Sequence, residues 1–455
     1  MAPGETGLVK RFPVASVIAV FFAAILSLSA SVIDIDLARF ATAKREQTRD
    51  LAKDLTNPVP SYVWSFFDAV QVDDWETSTN LVAKMQKASG RLPGVDESQI
   101  QPVLRTALGS PIIEVAGAQE QFHGWDNKWL HRFGREIIDS IPRGSIYFGG
   151  NDAGLYVIST LCESHREGKP FFTVTQNGLA DGTYLEYLHG MYGSKISIPS
   201  VEDSRKVFQA YLTDAQTRLQ AGKLKPGEDV RMVEGRVQIS GHVAMMEINA
   251  LLAKIIFDRN PGRQFFMVES FPLDWMYPYL VPHGLIFELK SKPLASLAEK
   301  EVAEDQAYWK KLVGDIAGDW LGEKTSVKEV CDFSDRVYLH KDYDGFKGDK
   351  AFVKNEEAKR TFSKLRCAIG GVYIWRANHV RDDEERNRMR AAADFAFRQA
   401  FTLCPDSPAT VFGYVNLLVQ TKRMDDAVLI AQASLRLDPD NQQLRDVVRQ
   451  LREKQ

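Results

Sequence analysis

The chain has 455 residues, 44% of them hydrophobic and 26% charged, an ordinary globular composition with length for roughly two or three domains. A net charge of -3, from 57 basic and 60 acidic residues, supplies no global field for nucleic acid, so no nucleic-acid partner is expected. Cys162, Cys331, Cys367 and Cys404 are too scattered for a zinc site or a disulfide-stapled small domain and read as buried thiols.

Taken in chain order, a tail at residues 1–12 precedes an uncharged run of 21 residues at 13–33, behind Lys10 and Arg11. A helix of roughly 20 apolar residues crosses a bilayer, so the run predicts a transmembrane anchor, with a cleaved signal ending near Ser27 to Ser31 as the alternative. Lys10 and Arg11 before the run and Arg39, Lys44, Arg45, Arg49 and Lys53 after it argue opposite orientations, so charge alone does not settle it; the rest of the chain is expected outside the cytoplasm, in a periplasm or cell envelope. Residues 34–123 read as a helical stalk and helical region, the stalk stopping at Asn57, Pro58 and Pro60.

The pattern sharpens over residues 124–292. An amphipathic helix at 125–141 stops at Pro142, and a short apolar strand at 145–148 closes on Gly149 and Gly150. Helix at 155–165, strand at 170–175 and helix at 184–192 follow. A hairpin turns at Glu234 and Gly235, then an apolar helix at 243–257 precedes strands at 264–268 and 285–289. Such alternation predicts a three-layer α/β domain with a mainly parallel sheet. Residues 293–355 form a helical linker.

Residues 356–455 carry an internal repeat. Ala427, Ala431, Ser434 and Pro439 lie 34 positions after Ala393, Phe397, Ala400 and Pro405, the period of a tetratricopeptide repeat. An all-α tetratricopeptide-like array is therefore expected, with a protein partner on its helices.

Catalytic signatures are sparse. Gly322, Glu323, Lys324 and Thr325 lack the Gly-Lys step of a phosphate loop, and the Asp342/Asp344 pair reads as a solvated loop. No metal and no cofactor is expected. The better constellation is at strand ends, where Asn151, Asp152, Asn177, Asp181 and Asp274 follow three different strands. In an open α/β sheet those ends share one edge, where short polar side chains bind ligands. The same side chains also cap helices, and both roles coexist at one position. His165 reads as a surface or dipole-paired histidine.

Residues 145–152, with Gly149, Gly150, Asn151 and Asp152, the following helix with Glu163, and residues 172–177 resemble the soluble region of multi-spanning protein O-mannosyltransferase-type (GT-C-like) membrane proteins. Residues 249–257, Arg259, Asn260, Pro261 and the segment from Pro282 to Ile286 extend the likeness, which covers roughly residues 140 to 290. The resemblance implies an α/β plus tetratricopeptide tail without the family's multi-spanning catalytic part, so no catalytic residue carries over. The expected function is a membrane-anchored extracytoplasmic binding or scaffold protein, holding a glycan or small polar ligand. The alternative is a carbohydrate-active enzyme or accessory subunit related to the protein O-mannosyltransferases.

Overall fold

The computed structural model describes residues 34–90, 100–150, 152–233, 236–268 and 273–453. The anchor expected at 13–33 lies outside them. Among the described residues no helix is long and apolar enough to cross a membrane. The expected fold is corrected accordingly, to a largely helical chain around a small mixed sheet, and the single-pass membrane attachment and periplasmic localisation are withdrawn.

The chain begins with α1 (Ile35–Ala52), started by Asp34, whose Oδ1 accepts from the Asp36 and Leu37 backbone amides at 2.9 and 3.2 Å. Helices α2 (Ser61–Gln71), α3 (Trp75–Ala88) and α4 (Gly109–Gly124) follow. Phe40, Val63, Phe66, Phe67 and Val115 form a core between them. The segment read as a stalk thus lies against α2 and α4.

After α5 (Asn127–Ser140), three short strands are buried at every position: β1 (Ile146–Phe148), β2 (Phe172–Val174) and, farther along, β5 (Phe265–Met267). Continuous apolar runs of this kind belong to parallel strands covered on both faces. Helix α6 (Ala153–Leu161) joins β1 to β2. The path from β2 to β5 is longer, through α7 (Gly182–Tyr192), α8 (Val201–Gln220), the hairpin β3 (Asp229–Val233) with β4 (Arg236–Ser240), and α9 (Gly241–Arg259).

The sheet is completed by β6 (Leu280–His283) and β7 (Ile286–Leu289), in the order β2-β1-β5-β7-β6. The pairings β1/β2 and β1/β5 are parallel, whereas β5/β7 and β6/β7 are antiparallel. The expected mainly parallel sheet is therefore mixed. Its second half is a hairpin turning at Gly284, whose φ of 60° is easy only for glycine. Pro282 disguises β6 in the sequence, and it is tolerated because β6 is the edge strand.

Helices α10 (Glu299–Ala317), α11 (Val327–Ser334) and α12 (Lys350–Lys354) lead to α13 (Glu356–His379), α14 (Asp383–Leu403), α15 (Pro408–Gln420), α16 (Met424–Leu437) and α17 (Gln442–Arg452). From α13 onward each helix packs on the next. Ala393, Phe397, Ala400, Ala427, Ala431 and Ser434 are all buried, and Pro405 and Pro439 fall just beyond the ends of α14 and α16.

This array is fastened to the sheet domain. Arg366 on α13 pairs with Asp305 on α10 at 2.8 Å with both side chains fully buried, and the Tyr373 hydroxyl donates to Asp305 at 2.7 Å. Arg376 donates to the carbonyls of Leu294, Tyr277, Pro278 and Leu280 at 2.6 to 3.3 Å. The guanidinium fork satisfies several carbonyls at once, as an ammonium would not.

Candidate functional site

Because β1, β2 and β5 run parallel, the segments after them meet at one edge of the sheet. After β1 the chain turns at Gly150, with φ of 66°, and its amide donates to the Gln176 side chain beyond β2 at 2.9 Å. Gly154 opens α6 where a Cβ would fall 2.2 Å from Val268 Cγ1 and 2.8 Å from the Gly149 carbonyl oxygen, so only glycine lets α6 approach so closely.

Asp152 caps α6 through Oδ1, which accepts from the Gly154 amide at 3.0 Å, while Oδ2 accepts from Lys364 on α13 at 2.9 Å. It is a cap and a tether to the helical array. Asn151 lies outside the described residues. Asn177 is held by α9, where buried Asn249 donates to its carbonyl at 2.8 Å and accepts from the Ala180 amide at 2.7 Å. Asp181 caps α7, accepting from the Thr183 amide and hydroxyl at 2.9 and 2.7 Å. Asp274 opens a 3-10 turn after β5 and is exposed.

Of the four that are described, Asp181 is the one that lines a cavity of about 140 Å³ at this edge. Its wall is Ser110, Ile113 and Glu114 from α4, Leu155 and Tyr156 from α6, and Gly178, Asp181, Thr183 and Tyr184 from the segment after β2. Asp152 and Asp274 lie outside that wall.

Glu114 is the floor of a buried polar cluster that the sequence did not disclose. Its Oε2 pairs with the ammonium of Lys44 from α1 and lies 3.0 Å from the Tyr187 hydroxyl and 3.4 Å from His165 Nε2. Lys44 also donates to the Tyr187 hydroxyl at 2.7 Å and to Gln47 at 3.1 Å. His165, expected as a surface or dipole-paired histidine, is 5% exposed, with Nδ1 3.3 Å from the Tyr192 hydroxyl. The correction has a simple cause: α6 ends at Leu161, and the next turn folds inward.

Burial alone would raise the Glu114 carboxyl, but the Lys44 ammonium and His165 outweigh it and hold Glu114 below the ordinary carboxylate value. Burial lowers Lys44, against the pull of Glu114, and burial and Lys44 together lower His165. At neutral pH this leaves Glu114 ionised and His165 neutral. Burial, with the charges of Glu114, Asp152 and Glu120, pushes the Tyr156 phenol up to about 12.

All three Glu114 contacts above run to Oε2. Oε1 accepts no hydrogen bond among the described residues, although Glu114 is only 4% exposed and forms part of the cavity wall. The phenols beside it are also under-used. Tyr184 accepts from the Thr175 amide at 2.8 Å, leaving its own proton to donate, and the Tyr156 hydroxyl has no hydrogen-bond partner among the described residues. A metal-type grouping elsewhere, Asp34, Asp36 and His131, is engaged in capping α1 and in pairing Asp36 with Arg39.

No protein-family model, curated protein or solved structure matches the chain. The expected role as a membrane-anchored, extracytoplasmic binding or scaffold protein is corrected along with the anchor. The expected protein partner on the C-terminal helices is withdrawn too. The buried charges of α13 are spent on α10 and the sheet domain, and no contact among the described residues supports a partner there.

Proposed function

We propose that this chain binds a small polar molecule in the cavity bounded by α4, α6 and the segment after β2. The carrying observation is Oε1 of Glu114, an ionised residue only 4% exposed in the wall of that cavity, which accepts no hydrogen bond among the described residues. A hydrogen bond to an ionised oxygen is roughly twice as strong as one between neutral groups, so a ligand donor placed in the cavity gains most by meeting this atom. The edge location, outside the carboxyl ends of parallel strands, is where open α/β sheets hold ligands.

The function is one of binding. Ser110 is the hydroxyl nearest in sequence to Glu114 on the wall, and no hydrogen bond joins them as nucleophile and base among the described residues. The sequence resemblance to protein O-mannosyltransferase-type proteins, in which only Asn151 and Asp152 match a family motif, carries over no reacting residue. Ser110→Leu tests the proposal, because it fills the cavity from the first turn of α4. A small-molecule panel should contain compounds that raise the wild-type melting temperature and leave Ser110→Leu unmoved; a panel that moves neither protein overturns the proposal.

A further inference from the structure

We infer, resting on that binding reading, that the ligand is a small aliphatic amine bound as its ammonium ion. Two carboxylates, Glu114 and Asp181, stand in the cavity wall, and no Lys, Arg or His joins them there among the described residues. An anion would find no cationic side chain in that wall among the described residues.

Lys44 does not cancel this preference at the cavity side. Its ammonium is committed to Glu114 Oε2, Gln47 and Tyr187, on the face of Glu114 turned toward α1. A second N–H donor therefore finds Oε1 open. Ser110 and the Tyr156 hydroxyl offer further acceptors, and an ammonium carries three donors. The rings of Tyr156 and Tyr184 complete the wall, and aromatic faces attract cations most strongly where water is excluded. Leu155 and Ile113 supply an apolar surface for a short alkyl chain. The volume of about 140 Å³ holds only a few heavy atoms.

The test uses three probes of one shape and different charge: butylammonium, 1-butanol and butyrate, titrated calorimetrically into the full chain. Butylammonium should bind saturably and about tenfold or more tighter than 1-butanol, and butyrate should give no saturable heat. Asp181→Asn keeps a side-chain oxygen for the α7 cap and removes the charge. It should weaken butylammonium several-fold and leave 1-butanol unchanged. If 1-butanol or butyrate binds as well as butylammonium, the amine inference is overturned and the cavity remains a binding site. If no probe gives saturable heat up to about 10 mM, the amine inference and the binding reading both fall.

Discussion

Lys44 on α1 and Glu114 on α4 form an ion pair with only 2% and 4% of the residues exposed, and this pair both fastens α1 to α4 and engages Oε2 of Glu114, leaving Oε1 without a hydrogen bond among the described residues. Removing one member of such a pair strands the other charge in a low-dielectric interior. Lys44→Met or Glu114→Gln alone should cost about 3–5 kcal/mol. The double change to Met and Leu should recover most of that, since two apolar side chains leave no charge behind. Urea unfolding of the three variants measures it, and single variants costing under about 1 kcal/mol would show that the pair is solvated.

The same cluster makes stability depend on pH with a definite sign. His165 titrates below its ordinary 6.5 and Glu114 below its ordinary 4.5 in the folded chain. At both groups the unfolded chain therefore binds more protons over the window beneath those values, so stability rises with pH there. Urea midpoints should fall as pH drops below about 6.5, and fall further below about 4.5. His165→Gln should flatten the first step and keep the second. Equal midpoints at about pH 7.5 and pH 5.5 would contradict the burial of a neutral His165.

Two glycines in the helical array should respond oppositely to alanine. A Cβ at Gly413 would fall 2.8 Å from Phe397 Cε1 and 3.3 Å from Cζ, whereas a Cβ at Gly371 meets nothing within 4 Å. Gly413→Ala should cost about 1–3 kcal/mol by overpacking. Gly371→Ala should gain about 0.5–1 kcal/mol, because alanine loses less backbone freedom in a helix. Thermal unfolding of both variants checks the pairwise packing of α13, α14 and α15. Two effects of the same sign would contradict it.

Asp152 separates capping from tethering. Asp152→Ala loses the α6 cap and should cost about 0.5–2 kcal/mol, while Asp152→Asn keeps an acceptor for the Gly154 amide. The Lys364 contact is half-exposed, so Lys364→Ala should cost no more than about 1 kcal/mol. A larger loss in Lys364→Ala would mean that the tether, rather than the cap, holds the turn after β1.

What the sequence revealed follows the physics of each element. The strands β1, β2 and β5 were legible because both faces are buried and every position but Thr173 is apolar or aromatic, and the 34-residue register of Ala393 and Ala427 was legible because close helix contacts need small residues. The edge strand β6 was hidden by Pro282. The Lys44 cluster was hidden by distance along the chain, since Lys44 and Tyr187 are 143 positions apart. A signal did exist: Lys44 shares a helix face with Leu37, Phe40, Ala41 and Thr48, and Glu114 lies among Ile112, Val115 and Ala118. A charge on an apolar stripe marks a buried partner. Of the four expected ligand residues among the described ones, Asp181 alone reaches the cavity wall, because capping fixes Asp152 and Asp274 falls beyond β5, outside that wall.

The most direct measurement of the central claim is where an amine makes contact. The chain has 14 tyrosines, and ring-labelled tyrosine gives each an NMR signal that Tyr156→Phe and Tyr184→Phe assign by deletion. On titration with butylammonium, the Tyr156 and Tyr184 signals should shift together and saturate while distant tyrosines such as Tyr414 stay fixed. Saturable shifts confined to other tyrosines, or none at Tyr156 and Tyr184, would contradict a ligand site at Glu114.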